Sequence, residues 1–146
     1  MILGRLIRAA AFGSTAGVPP GILGTGDVLK EARRFSDADV ARFAEVSGYR
    51  NPVHFDADFA RSAAGFAGGR VVHGMLVASL FPSIIASHFP GAIYVSQTLQ
   101  FKLPVYIGDE IVAEVQALSL REHKKRFIVR FTDEMLYKHG ATCHRW

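Results

Sequence analysis

The chain has one cysteine, Cys143, so neither an intrachain disulfide nor a cysteine-based metal cluster can form within it, a usage that fits a reducing compartment. Long apolar runs are lacking too. The most apolar region, Val71 to Phe89, is broken by His73, Pro82 and several serines, and falls short of the roughly 18 uninterrupted apolar residues that a membrane-crossing helix requires. No membrane span is expected. Acidic residues are absent from residues 1–26, where Arg5 and Arg8 interleave with Met1, Ile2, Leu3, Leu6, Ile7 and Phe12. On a helix this gives an apolar face beside a basic one, the pattern of a mitochondrial presequence. The two arginines also interrupt the place where a secretory signal would carry an apolar core of roughly 7 to 15 residues. Gly17 to Gly26, with Pro19, Pro20 and four glycines, reads as a linker. The expected division is therefore a leader and linker over 1–26 and one folded domain over 27–146.

What is present suits a single globular unit: 146 residues, 49% of them hydrophobic and 21% charged. The net charge of +4 favours acidic partners. Lys and Arg are scattered, however, and no nucleic-acid motif accompanies them, so an acidic protein or a phosphorylated substrate is expected and nucleic acid is not.

From Phe35 the pattern becomes helical. Ser36 can cap a helix, Asp37 and Asp39 suit its positive end, Val40, Phe43 and Val46 recur at helical spacing, and Gly48 ends it. Phe35 and Val40 are placed for a hydrophobic staple that fixes the helix's entry angle. A short second helix is expected over Ala57 to Ala64. The longest helical candidate is Gly74 to Phe89, apolar on nearly every face and so expected to be wrapped by other structure. Ser79, Ser83 and Ser87 form its single polar stripe, and Pro82 should bend it or end its first half. Ile93 to Phe101, Glu110 to Leu120 and Arg126 to Asp133 read as strands of an antiparallel meander, with a charged hairpin tip at Arg121 to Lys125.

Two places could carry chemistry. In Ser47 to Asp56, SGYRNPVHFD, Pro52 stiffens the turn and His54 offers an imidazole that near neutrality is a competent proton acceptor. Val72 to Met75, VHGM, opens the apolar helix; the backbone N–H groups of its first turn, unobstructed at Gly74, make a place to hold a developing oxyanion. A structural alternative stands beside each, with His54 as a surface hydrogen-bonding residue and His73 as a satisfied core residue.

Together SGYRNPVHFDADFA, GGRVVHGMLVASL and YVSQTLQFKLPVYIGDEIVAEVQAL resemble the MaoC-like family of hot-dog-fold proteins, which includes (R)-specific enoyl-CoA hydratases and 3-hydroxyacyl thioester dehydratases. The resemblance implies an α+β hot-dog fold in which a curved antiparallel sheet wraps a long central helix, two such units pairing as a homodimer. It implies reversible loss of water from a 3-hydroxyacyl thioester carried on acyl carrier protein or coenzyme A. No metal or redox cofactor is implied. Carried over by position, His54 matches the catalytic histidine, Asn51 the asparagine of the turn, Gly74 the oxyanion donor and Ser79 the helix serine near the site. Two departures stand out. Tyr49 occupies the place of the family's catalytic aspartate, and a phenol near pKa 10 is a poor base at neutrality. Asp56 is better placed to cap the next helix than to substitute for that carboxylate. The chain also stops at Trp146, where the family adds one more strand, so the C-terminal strand is expected to be missing. The expected activity is that of a mitochondrial hydro-lyase of fatty acid synthesis, working in the matrix. The rivals are a catalytically weak protein that binds acyl thioesters or a partner subunit, and a thioester hydrolase. Arg121, Lys124, Lys125 and Arg126 could meet an acidic carrier protein or the phosphates of coenzyme A.

Overall fold

A computed structural model of the chain describes residues 2–11, 23–123 and 126–137. The elements in chain order are β1 (Ile2–Ala11), β2 (Val28–Arg34), α1 (Asp37–Ser47), a 3-10 turn (Pro52–His54), α2 (Ala57–Ser62), α3 (Gly74–Ala78), α4 (Leu80–His88), β3 (Ala92–Phe101), β4 (Glu110–His123) and β5 (Arg126–Tyr137). The start of α1 is set by reciprocal hydrogen bonds: Ser36 Oγ accepts from the Asp39 N–H, and the Asp39 carboxylate accepts from the Ser36 N–H. Two donors that a helix start leaves open are thereby satisfied. Gly48 ends the helix at φ 73°, a conformation that favours glycine. Phe35 and Val40, the expected staple pair, are both buried in the same core.

The expected long helix divides in two. Pro82 has no N–H to give the Ala78 carbonyl, and α3 gives way to α4 at Ser79. Leu80, Phe81, Ile84 and Ile85 of α4 are buried with Ile111, Ala113, Val115 and Ala117 of β4 and with Val129, Phe131 and Met135 of β5. Each large apolar side chain in such a core contributes about 1.5–3 kcal/mol. One helix face stays open in the single chain, with Ser79, Ser83 and Ser87 along it, so the helix is cradled by the sheet on one side.

The sheet order is β2-β4-β5-β1-β3, and every neighbouring pair is antiparallel. The β4–β5 hairpin forms as expected, but β4 runs on to His123, so Arg121, Glu122 and His123 of the expected tip are paired with β5. The meander as a whole does not form, because β3 lies at the far edge and does not pair with β4. The reason lies in the connection after Phe101: Val72 N–H donates to the Val105 carbonyl and Ile107 N–H to the Arg70 carbonyl. That segment is pinned to the residues leading into α3, so it cannot make the tight turn a hairpin needs. Strand β2 was missed in the sequence because VLKEARR lacks apolar alternation; as an edge strand it pairs charges instead, Lys30 with Glu114 at 2.6 Å and Arg34 with Glu110 at 3.3 Å. Strand β1 comes from the segment read as an amphipathic helix. It takes strand form because β5 and β3 offer it backbone partners on both sides. Residues 12–22, which hold the first part of the expected Gly17 to Gly26 linker, Lys124 and Lys125 at the hairpin tip, and residues 138–146, where a strand was expected to be missing, lie outside the described residues.

One buried carboxylate sits in this sheet. Asp133 is 1% exposed, on the core face of β5, and its Oδ2 accepts a hydrogen bond from Gln97 Nε2 at 3.0 Å. The bond links β3 to β5, which flank β1 in the sheet. Burial pushes the Asp133 carboxyl up to about 6, against the opposing effect of the Gln97 donor. A raised carboxyl favours the folded state while protonated, so this contribution is present below the ordinary aspartate value of 3.8 and is lost as pH rises to about 6. Asp133→Asn, which keeps an acceptor for Gln97, is expected to be more stable than the native chain at pH 8 by about 2–3 kcal/mol. Urea denaturation should show that advantage shrinking towards pH 4.

Candidate active site

The turn that presents His54 is built by its own residues. Asn51 Oδ1 accepts from the Val53 N–H at 3.3 Å, Pro52 occupies the first position of the 3-10 turn, and the Phe55 and Asp56 N–H groups both close on the Pro52 carbonyl. Asp56 then caps α2, its Oδ1 accepting from the N–H groups of Asp58 and Phe59 at 2.9 Å. It is therefore engaged in capping, as expected. The turn is strapped to the segment before α3 through Val71, whose N–H donates to the Val53 carbonyl and whose carbonyl lies 2.8 Å from His54 Nδ1. A carbonyl only accepts, so Nδ1 carries the hydrogen and, in the neutral ring, Nε2 is left as the acceptor. Burial pulls the His54 pKa below its ordinary value; the Val71 carbonyl opposes that shift and neighbouring His73 adds to it. The imidazole is thus neutral at physiological pH.

Three rings meet here. The His73 ring stacks on that of His54 with centroids 3.7 Å apart and planes at 28°. The Tyr49 ring stands edge-on to both, at 5.2 Å from His54 and 5.3 Å from His73. Gly74 follows as the first residue of α3, and a Cβ built there would lie 2.7 Å from the Phe101 ring, so only glycine lets that ring close against the backbone. Tyr49, Asn51, His54, Gly74, Phe101 and Lys102 share one cavity of about 500 Å³, whose remaining wall is valine, leucine, methionine, phenylalanine and proline. Its size and lining suit an apolar ligand with a few polar anchor points.

Four of the five expected site residues, Tyr49, Asn51, His54 and Gly74, are therefore brought together. Ser79 does not line this cavity, and its hydroxyl donates to the Leu76 carbonyl at 2.6 Å. No carboxylate is among the lining residues. His73, Phe101 and Lys102 were not picked out as site residues; the signal for His73 was its place directly before the glycine that opens α3, whereas Phe101 is delivered by the far edge of the sheet, which spacing does not reveal.

Residues 23–137 match the model of the MaoC-like domain family, and the chain belongs to that family. Among curated relatives, it is 51% identical over 140 residues to a protein of Solanum lycopersicum named mitochondrial 3-hydroxyacyl-acyl-carrier-protein dehydratase, covering 96% of this chain and 84% of the relative. It is 42% identical over 121 residues to an (R)-specific enoyl-CoA hydratase of Aeromonas caviae, covering 82% and 87% of the two chains. The solved structure of an (R)-hydratase from A. caviae superposes with a TM-score of 0.64 at 40% identity, over 80% of this chain and 96% of that one. The fold is accordingly the hot-dog fold, α+β, with its antiparallel sheet against the central helix pair.

The closeness of Phe101 to Gly74 sets a sign reversal. Gly74→Ala is expected to lower stability by about 1 kcal/mol, the overpacking cost outweighing the gain in helix propensity. In a Phe101→Ala background the same change should become stabilising, and a urea-denaturation double-mutant cycle measures the difference.

Proposed function

We propose that the chain is a hydro-lyase that interconverts (R)-3-hydroxyacyl and trans-2-enoyl thioesters in fatty acid synthesis, the thioester being carried by acyl carrier protein or coenzyme A. The observation that carries this reading is the free Nε2 of a neutral, buried His54 lining one apolar cavity with Gly74. In the hydration direction, water adds to C3 while Nε2 takes one of its protons. The thioester carbonyl, held at the Gly74 N–H, carries the charge that develops on its oxygen, and the imidazolium returns the proton to C2; dehydration is the reverse. Asn51 holds the turn, Tyr49 positions water through its phenol, and Ser79 is left to secure the helix. The names of the plant and bacterial relatives support the substrate class.

Residues 1–26 are proposed to direct the chain to the mitochondrial matrix. Their acid-free, arginine-bearing composition supports this, as do two plant relatives named mitochondrial. Because Ile2–Ala11 is a strand in the folded chain, that use belongs to the chain before it folds. A homodimer is proposed in which the open face of α4 and the β3 edge, where Ile93, Val95 and Phe101 are exposed, are covered by the second copy. The basic residues Arg121, Lys124, Lys125 and Arg126 are proposed to face the carrier's acidic surface or phosphates.

The second reading, an acyl-thioester-binding protein with little turnover, is favoured by one observation: Tyr49 stands where a carboxylate is expected, and no carboxylate lines the cavity. Hydration of a short trans-2-enoyl-CoA by the full chain decides between them. The native chain is expected to turn it over, and His54→Ala to lower kcat/KM by about 10²–10⁴-fold. Activity that survives His54→Ala would remove the base from this scheme, whereas an inactive native chain made active by Tyr49→Asp establishes the second reading.

A further inference from the structure

We infer that His73 is a positioning residue for His54, holding the plane of its ring by stacking and anchoring the Tyr49 backbone beside it. This rests on the reading of His54 as the acid/base group. His73 is fully buried, and its Nε2 lies 3.0 Å from the Tyr49 carbonyl, to which it donates. Its Nδ1 is buried with no partner among the described residues. A buried, unpartnered ring nitrogen costs stability, so packing alone would be served better by phenylalanine. What the imidazole adds is the Nε2–H that ties Tyr49, and hence the turn carrying His54, to the start of α3.

Phe43 of α1 lies 4.9 Å from the His73 ring and Phe55 lies 6.1 Å away, so the ring is clamped between aromatic neighbours as well as stacked on His54. The other titratable groups facing the pair are Tyr49, from the loop after α1, and Lys102, across the cavity; β3 contributes Phe101, which does not titrate. The stack therefore sets the plane of the His54 ring, while the Val71 carbonyl sets which of its nitrogens carries the hydrogen. Two imidazoles this close cannot both be charged without strong mutual opposition.

The test follows His54 by NMR in the full native chain, together with the variants His73→Gln, which keeps a side-chain N–H for the Tyr49 carbonyl but loses the ring, and His73→Phe, which keeps a ring but loses the donor. In the native chain, His54 is expected to titrate below the ordinary histidine value. In His73→Gln, the His54 midpoint and the acid limb of kcat/KM should move together by about half a pH unit or more. In His73→Phe, kcat should fall about tenfold or more with KM little changed. A His54 midpoint that is the same in all three chains overturns the inference, as does a kcat that His73→Phe leaves unchanged. If the chain shows no turnover but the NMR shift is found, the reaction assigned above fails and the positioning role stands.

Discussion

The hydrogen bond between His54 Nδ1 and the Val71 carbonyl ties two parts of the chain that would otherwise be independent: the short turn after α1 and the residues that lead into α3. Its companion from the Val71 N–H to the Val53 carbonyl makes the tie a two-bond strap. Because Val72 and Arg70 on the same segment also hold the connection after β3, the strap brings helix, turn and sheet edge to one point. The cavity exists at that meeting, and the side chains that line it come from each of the three. Loss of the strap would free the imidazole to turn over and exchange its two nitrogens, so the chemistry depends on a backbone carbonyl as much as on any side chain.

Local features were the ones most legible in the sequence. Ser36, Asp39 and Gly48 announce a helix whose ends they determine within themselves, and the alternation of Ile111, Ala113, Val115 and Ala117 announces a strand with one buried face. Pro82 announces an interruption for the same reason, since a missing donor needs no tertiary context. Pairing partners were not legible. Whether β3 turns back on β4 depends on what the intervening segment bonds to, and those partners, Arg70 and Val72, lie far away in the chain. Strand β2 was hidden because its solvent-side charges find partners only across the sheet.

At the site the same division holds. His54, Asn51 and Gly74 were found because the turn and the helix start are local motifs with known chemistry. Ser79 does not line the cavity, because it sits where α3 gives way to α4 and its hydroxyl bonds back to the Leu76 carbonyl. His73 was read as core, and it is buried; what the sequence could not convey is that the face it buries is His54's. Tyr49 was visible from the start as a departure, and the structure gives that departure a setting, with the phenol ring set edge-on to two imidazoles and no carboxylate among the residues that line the cavity.

The place of β1 has a consequence for the order in which the chain assembles. Its partners include Asp133 and Glu134 in β5, almost the whole described length away, whereas β4 and β5 are joined by a short hairpin. Closing so long a loop carries an entropic cost that a hairpin escapes, and non-local pairing is accordingly slow. The arginine-bearing segment of β1 is thus among the last to find its partners, and it stays unpaired for most of the time the molecule spends folding.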